Sequence, residues 1–121
     1  MRVLPDKNVP VPLRSLLPGH DVGTVTEMGW DTLADGRLLR AAEAAGYDVL
    51  LTCDQNLPRQ QNLAKHRLAV AVLDTTLWSA PRADPGRVAA AISAARPGEA
   101  HVVRFPRPPL RRRAYVPSDD P

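Results

Sequence analysis

A chain of 121 residues with 44% apolar side chains and a formal charge of +3 has the length of one domain and enough apolar material for one core. No apolar run approaches the roughly 18 residues needed to cross a bilayer, and the opening MRVLPDKNVP places Asp6 and Lys7 where a signal peptide's apolar core would lie, so a cytoplasmic protein with no membrane partner is expected. The single cysteine, Cys53, excludes an internal disulfide, and His20, His66 and His101 show no zinc-ligand spacing.

In chain order, MRVLP (1–5) reads as a first strand, followed by Asp6 and the breaker-rich DKNVPVP. PLRSLL is a short helix stopped by Pro18-Gly19, and HDVGTV (20–25) is a weaker second strand. The clearest helix covers 35–46: Leu38, Leu39, Ala42 and Ala45 recur at three-to-four spacing, Asp35 suits the N-cap, and Gly46 suits the stop. YDVLLTC (47–53) reads as a fully buried strand, with Cys53 as a buried thiol. A short helix is expected over LPRQQNLAKH (57–66), another buried strand over LAVAVL (68–73), a helix over 84–95 with Pro85 near its start, and a last strand over 99–105.

Residues 104–121, RFPRPPLRRRAYVPSDDP, hold five prolines, five arginines and two aspartates, and leave the preceding 103 residues with 11 basic and 11 acidic side chains. The body is therefore neutral, and attraction for phosphate must come from a local patch or from the tail. The expected organisation is one domain over 1–103 followed by an extended or disordered Pro/Arg-rich tail. Trp30 and Trp78 are expected to pack in the core.

Alternating strands and helices with continuously apolar central strands predict an α/β fold, a mostly parallel five-stranded sheet covered by helices on both faces. In such a sheet the useful crevice lies beyond the carboxyl ends of the strands, where chain connections change sides. With a strand order of 2-1-3-4-5, the first and third strands are neighbours there, and Asp6 and Asp54, which follow them, face each other. Asp35 and Asp31 can approach the same place. Clustered carboxylates suit Mg²⁺ or Mn²⁺. Asp35 is equally well explained as an N-cap, and strand-end acids often form turns; Asp74 is set aside as a solvated cap. The amides Asn56, Gln60, Gln61 and Asn62 crowd the region after Asp54, where they can bond phosphate, base or carboxylate without adding charge.

The opening 1-MRVLPDKNVPVPLRSLLPGHDVGTV-25, the middle 29-GWDTLADGRLLRAAEAAGYDVLLTCDQNL-57 and the trailing 60-QQNL-63 resemble a bacterial family of PIN-like proteins, relatives of VapC-type toxin ribonucleases. In that family the opening reads D-E-x-x-P, the middle G-W-x-x-L-x-[DN]-G-E-L-L, and a T-x-D-x-[ND] step ends the third strand. The resemblance covers roughly residues 1–75 and implies a three-layer PIN-like sandwich whose acids hold Mg²⁺ or Mn²⁺ for hydrolysis of RNA. It places Asp6, Asp35 and Asp54 as metal ligands of the catalytic site. It also implies a small cognate antitoxin and a homodimer.

Two positions depart from the family pattern: Lys7 and Arg37 stand where it has Glu. Cations beside the carboxylates compete with a metal, or else grip substrate phosphates directly. Lys7, Asn8, Arg37, Asn56, Arg59, Gln60 and Gln61 are the candidate contacts to nucleic acid. Two other readings stand beside the ribonuclease: a catalytically weak PIN-like module that binds nucleic acid or a protein partner, and a receiver-like phosphoacceptor domain. The receiver wants paired acids after its first strand and a lysine after its last; here Lys7 follows Asp6, and the last strand runs into Arg104-Phe105-Pro106.

Overall fold

The computed structural model describes residues 1–9, 11–75 and 79–105. Trp78 and the tail from residue 106 onward lie outside the described residues. The five strands are β1 (Arg2–Pro5), β2 (Asp21–Val22), β3 (Val49–Thr52), β4 (Ala69–Leu73) and β5 (Ala100–Val103). They form one all-parallel sheet of order β2-β1-β3-β4-β5. Helices α1 (Asp35–Ala44), α2 (Leu57–Gln60), α3 (Ser79–Ala83) and α4 (Pro85–Ala94) join them, with 3₁₀ turns at Val11–Leu16 and Leu63–Lys65.

The period-2 alternation of a strand sorts the apolar residues onto two faces. Val3, Val49, Leu51, Ala69, Ala71 and Leu73 pack on one face with Val88, Ala91 and Ile92 of α4 and with Val9, Leu17 and Phe105. Leu4, Leu50, Val70 and Val72 pack on the other with Leu38, Leu39 and Ala42 of α1 and with Leu57 and Leu63. Helices thus cover both faces. Trp30 is half-buried against the α1 face, edge-on to Tyr47 at 6.2 Å between ring centroids. Phe105, at the start of the expected tail, is buried, and its N–H donates to Asp74 Oδ1 at 2.9 Å, so Asp74 serves to close the end of β4 onto β5.

Local departures from the sequence-based expectation have physical causes. The second strand shortens to Asp21–Val22. The helix expected over 57–66 breaks at Gln61, whose backbone is extended at φ −120° and ψ 141°. Leu57 and Leu63, six residues apart, would point about 120° apart on a continuous helix; the break lets both enter the core. Helix α1 does stop at Gly46, as expected. With Gly46 at φ 86°, its N–H donates to Glu43 O and the Tyr47 N–H donates to Ala42 O, the paired bonds of a Schellman stop. Its beginning differs: the N-cap is Ala34 and Asp35 is the first helical residue, with no side-chain capping bond.

Glu43 fastens α1 to the loop before β4. Its carboxylate accepts from the Arg67 N–H and lies 3.0 Å from His66 Nδ1, and these bonds, that from Arg67 first, hold its pKa below the ordinary 4.5. A carboxylate with a depressed folded pKa stabilises the fold above its unfolded value, and that contribution is lost as pH falls through the folded one. Glu43→Gln is therefore expected to cost about 1 kcal/mol in urea unfolding near neutral pH. The difference from the parent should close as the medium becomes strongly acid; a gap unchanged between neutral and acid pH would contradict this assignment.

Candidate functional site

The parity that builds the core also builds the site. Leu4 and Leu50 face α1; continuing the alternation, Asp6 beyond β1 and Thr52 and Asp54 at the end of β3 turn toward the same layer. The ladder runs one step past the strand, since the Asp6 N–H donates to Leu51 O at 2.7 Å. That bond fixes Asp6 beside the end of β3. Helix α1 runs back against the parallel strands, so its first residue, Asp35, opens at the same carboxyl edge.

Asp6 is 9% exposed and Thr52 is fully buried. Asp6 Oδ1 accepts the Lys7 N–H at 2.7 Å, and Asp6 Oδ2 accepts the Thr52 hydroxyl at 3.2 Å. The Thr52 oxygen accepts the Asp54 N–H at 3.1 Å and faces Asn8 Nδ2 at 3.4 Å. Asn8 Oδ1 accepts the Cys53 N–H at 3.0 Å. Asp54 is half-buried, and its Oδ1 accepts the Asn56 N–H at 2.9 Å in a tight turn that leads into α2. Thr52 opens the T-x-D-x-[ND] step, but sequence reasoning gave it no role in the site. Its signal was a lone hydroxyl at the end of an otherwise apolar buried strand, two residues before the acid.

The three predicted acids are brought within electrostatic reach of one another. Burial raises the Asp35 pKa above its ordinary 3.8, the charges of Asp54 and Asp6 raise it further, and Lys7 opposes them. Among the described residues, however, no three His, Cys, Asp or Glu side chains are gathered closely enough to hold a metal ion. Asp35 is the carboxylate without a capping task, which removes the simplest structural explanation of its presence.

The other candidates divide. Lys7 is exposed and its Nζ donates to Asp31 O at 3.3 Å, which ties the β1 loop to the loop before α1. Asn8 is exposed, and its carboxamide is bonded to the end of β3. Asn56 contributes its backbone to Asp54, and its side chain is in a solvent-exposed position. Arg37, Arg59 and Gln60 are exposed on α1 and α2, and among the described residues no hydrogen bond or ion pair joins them to the three acids. Gln61 is half-buried against the first turn of α1: a Cβ on Gly36 would lie 3.2 Å from Gln61 Oε1. Glycine at that position gives the Gln61 amide room beside Asp35.

Burial, then the charge of Asp6, raises the Cys53 thiol to about 11. A thiol that stays protonated is a poor nucleophile, in keeping with its reading as a packed core residue. A recess of about 90 Å³ opens beside Asp6 between Lys7, Arg14, Thr24 and Thr26. A wider depression of about 650 Å³ lies away from the acids, between α4 and β5. Its one carboxylate, Asp84, is occupied by the Arg87 N–H and guanidinium at the start of α4.

No helix among the described residues is long and apolar enough to cross a membrane. Comparison of the chain with protein-family models, with curated proteins and with solved structures found no match.

Proposed function

We propose that this protein is a Mg²⁺- or Mn²⁺-dependent ribonuclease of the PIN-like toxin type, hydrolysing RNA phosphodiester bonds at the carboxyl edge of its sheet. The observation that carries the reading is the electrostatic coupling of Asp35 to Asp54 and Asp6, three acids from separated parts of the chain, with Asp35 free of any capping role. Their mutual repulsion is the kind that a divalent cation offsets, and hard carboxylate oxygens suit these ions. The donor chemistry therefore fits, and on this reading cation and phosphate together draw the carboxylates closer.

When bound, such an ion supplies an activated water and offsets charge on the phosphate. The chain's part is to hold it through Asp6, Asp35 and Asp54 and to orient the RNA. Lys7 stands at the edge of the site, and the exposed Arg37, Asn56, Arg59 and Gln60 are available to the backbone of an RNA strand. A small antitoxin and a second copy of the chain are the partners that belong to this reading.

One observation favours a second reading, an RNA- or protein-binding module without hydrolysis. Lys7 brings the acids a resident positive charge that opposes theirs. Incubating RNA with the protein and Mn²⁺ separates the two. The nuclease reading expects cleavage that disappears on chelation and falls about 100-fold or more in Asp54→Asn, beyond the usual cost of an outer-shell change. Equal behaviour of variant and parent would overturn it in favour of the binding module.

A further inference from the structure

We infer that Asn8 is a positioning residue for Asp6, acting through the hydroxyl of Thr52. The carboxamide orientation follows from the backbone. The Cys53 N–H can only donate, so the atom 3.0 Å from it is the Asn8 oxygen, and Asn8 Nδ2 is left facing Thr52 Oγ1 at 3.4 Å. A hydroxyl has one proton and two lone pairs. The Asp54 N–H at 3.1 Å and Asn8 Nδ2 fill the two lone pairs of Thr52.

The single Thr52 proton then has two acceptors in range, Asp6 Oδ2 at 3.2 Å and Asn8 Oδ1 at 3.5 Å. The nearer acceptor is a carboxylate, and hydrogen bonds to ionised acceptors are about twice as strong as neutral ones. Asn8 Oδ1 is already engaged by Cys53. The proton goes to Asp6. Asp6 is thereby clamped between Thr52 on Oδ2 and the Lys7 N–H on Oδ1, and the same hydroxyl holds the backbone of Asp54. One carboxamide thus helps to orient the hydroxyl that tethers the Asp6 carboxylate and the Asp54 backbone at the ends of neighbouring strands, although it touches neither carboxylate.

The relay is a statement about the metal-free chain; its consequence for metal affinity rests on the ribonuclease reading, and the test has one arm for each. The first arm is amide hydrogen exchange of the metal-free protein. Thr52→Val is far from Lys7 in sequence, and it should speed exchange of the Lys7 amide by on the order of 10-fold or more, because Asp6 loses its second tether. Asn8→Ala should do the same, and Thr52→Ser, which retains the hydroxyl, should restore protection. Unchanged Lys7 protection in either Asn8→Ala or Thr52→Val would overturn the inference whatever the metal does.

The second arm is Mn²⁺ affinity by calorimetry. Each of Asn8→Ala and Thr52→Val should weaken binding roughly 10–100-fold, the range for outer-shell partners. The double variant should be no weaker than the worse single one, since both act through one hydroxyl. Additive losses would show Asn8 acting on its own and would also overturn the inference. A parent protein that binds no Mn²⁺ while the exchange pattern holds would overturn the ribonuclease reading and leave the Asn8–Thr52–Asp6 relay standing.

Discussion

Asp35→Asn is expected, on the ribonuclease reading proposed above, to lower Mn²⁺-dependent RNA cleavage by about 100-fold or more, and on any reading to make the metal-free protein more resistant to urea near neutral pH. The two effects share one cause. Burial and the nearby charges of Asp54 and Asp6 raise the Asp35 pKa, so its ionised form is the costly one in the folded state. A carboxyl whose folded pKa is raised binds its proton more tightly in the folded chain. The parent therefore gains stability as pH falls through that folded value toward the ordinary 3.8.

The amide of Asn carries no charge and removes the repulsion at every pH. The variant should exceed the parent in urea midpoint near neutral pH and lose that advantage on acidification. It should also lose a ligand that no neighbour replaces. Urea unfolding at two pH values, beside a cleavage assay with Mn²⁺, checks both. A variant that is less stable at neutral pH and still cleaves RNA would show that Asp35 is an ordinary helix-start acid with no part in the site.

The second large effect belongs to the core. Leu50 is fully buried at the centre of β3, in register with Leu4 of β1 and adjacent to β4 through Val70, and it belongs to the cluster that carries Leu38, Leu39 and Ala42 of α1. Leu50→Ala removes atoms that neighbours on both strands and the helix above cannot replace, at a cost of about 3 kcal/mol in the usual range of 2–5. For a domain of this size that lowers the melting temperature by roughly 10 °C. Because β3 also carries Thr52 and Asp54, the Mn²⁺ affinity that the ribonuclease reading expects should fall only near the new melting transition and remain close to the parent's well below it. A loss of stability under 1 kcal/mol in thermal or urea unfolding would mean that β3 is not the central strand.

The division between what was legible and what was hidden follows the range of the interactions. Continuous apolar runs such as Val49–Leu51 and Ala69–Leu73, separated by helical spacings, determine a parallel sheet with helices on both faces, because each signal lies within a few consecutive residues. The carboxyl-edge positions of Asp6 and Asp54 follow from the ends of those runs. Gly46 could be placed as the α1 stop because a left-handed residue is a local requirement.

Other features depend on residues distant in sequence. Asp35 looked like the N-cap because Asp is a favoured cap, but the helix begins one residue earlier, with Ala34 at the cap and no side-chain capping bond. The break at Gln61 comes from the need to bury both Leu57 and Leu63.

Periodicity and strand ends were enough to read the alternation of strands and helices and the carboxyl-edge positions of Asp6 and Asp54. That Asn8 and Thr52, 44 residues apart, meet, and that the Thr52 hydroxyl holds Asp6, follows from the folded arrangement of the strands. No local pattern encodes a hydrogen bond across neighbouring strands; it exists once parallel pairing has set β1 beside β3.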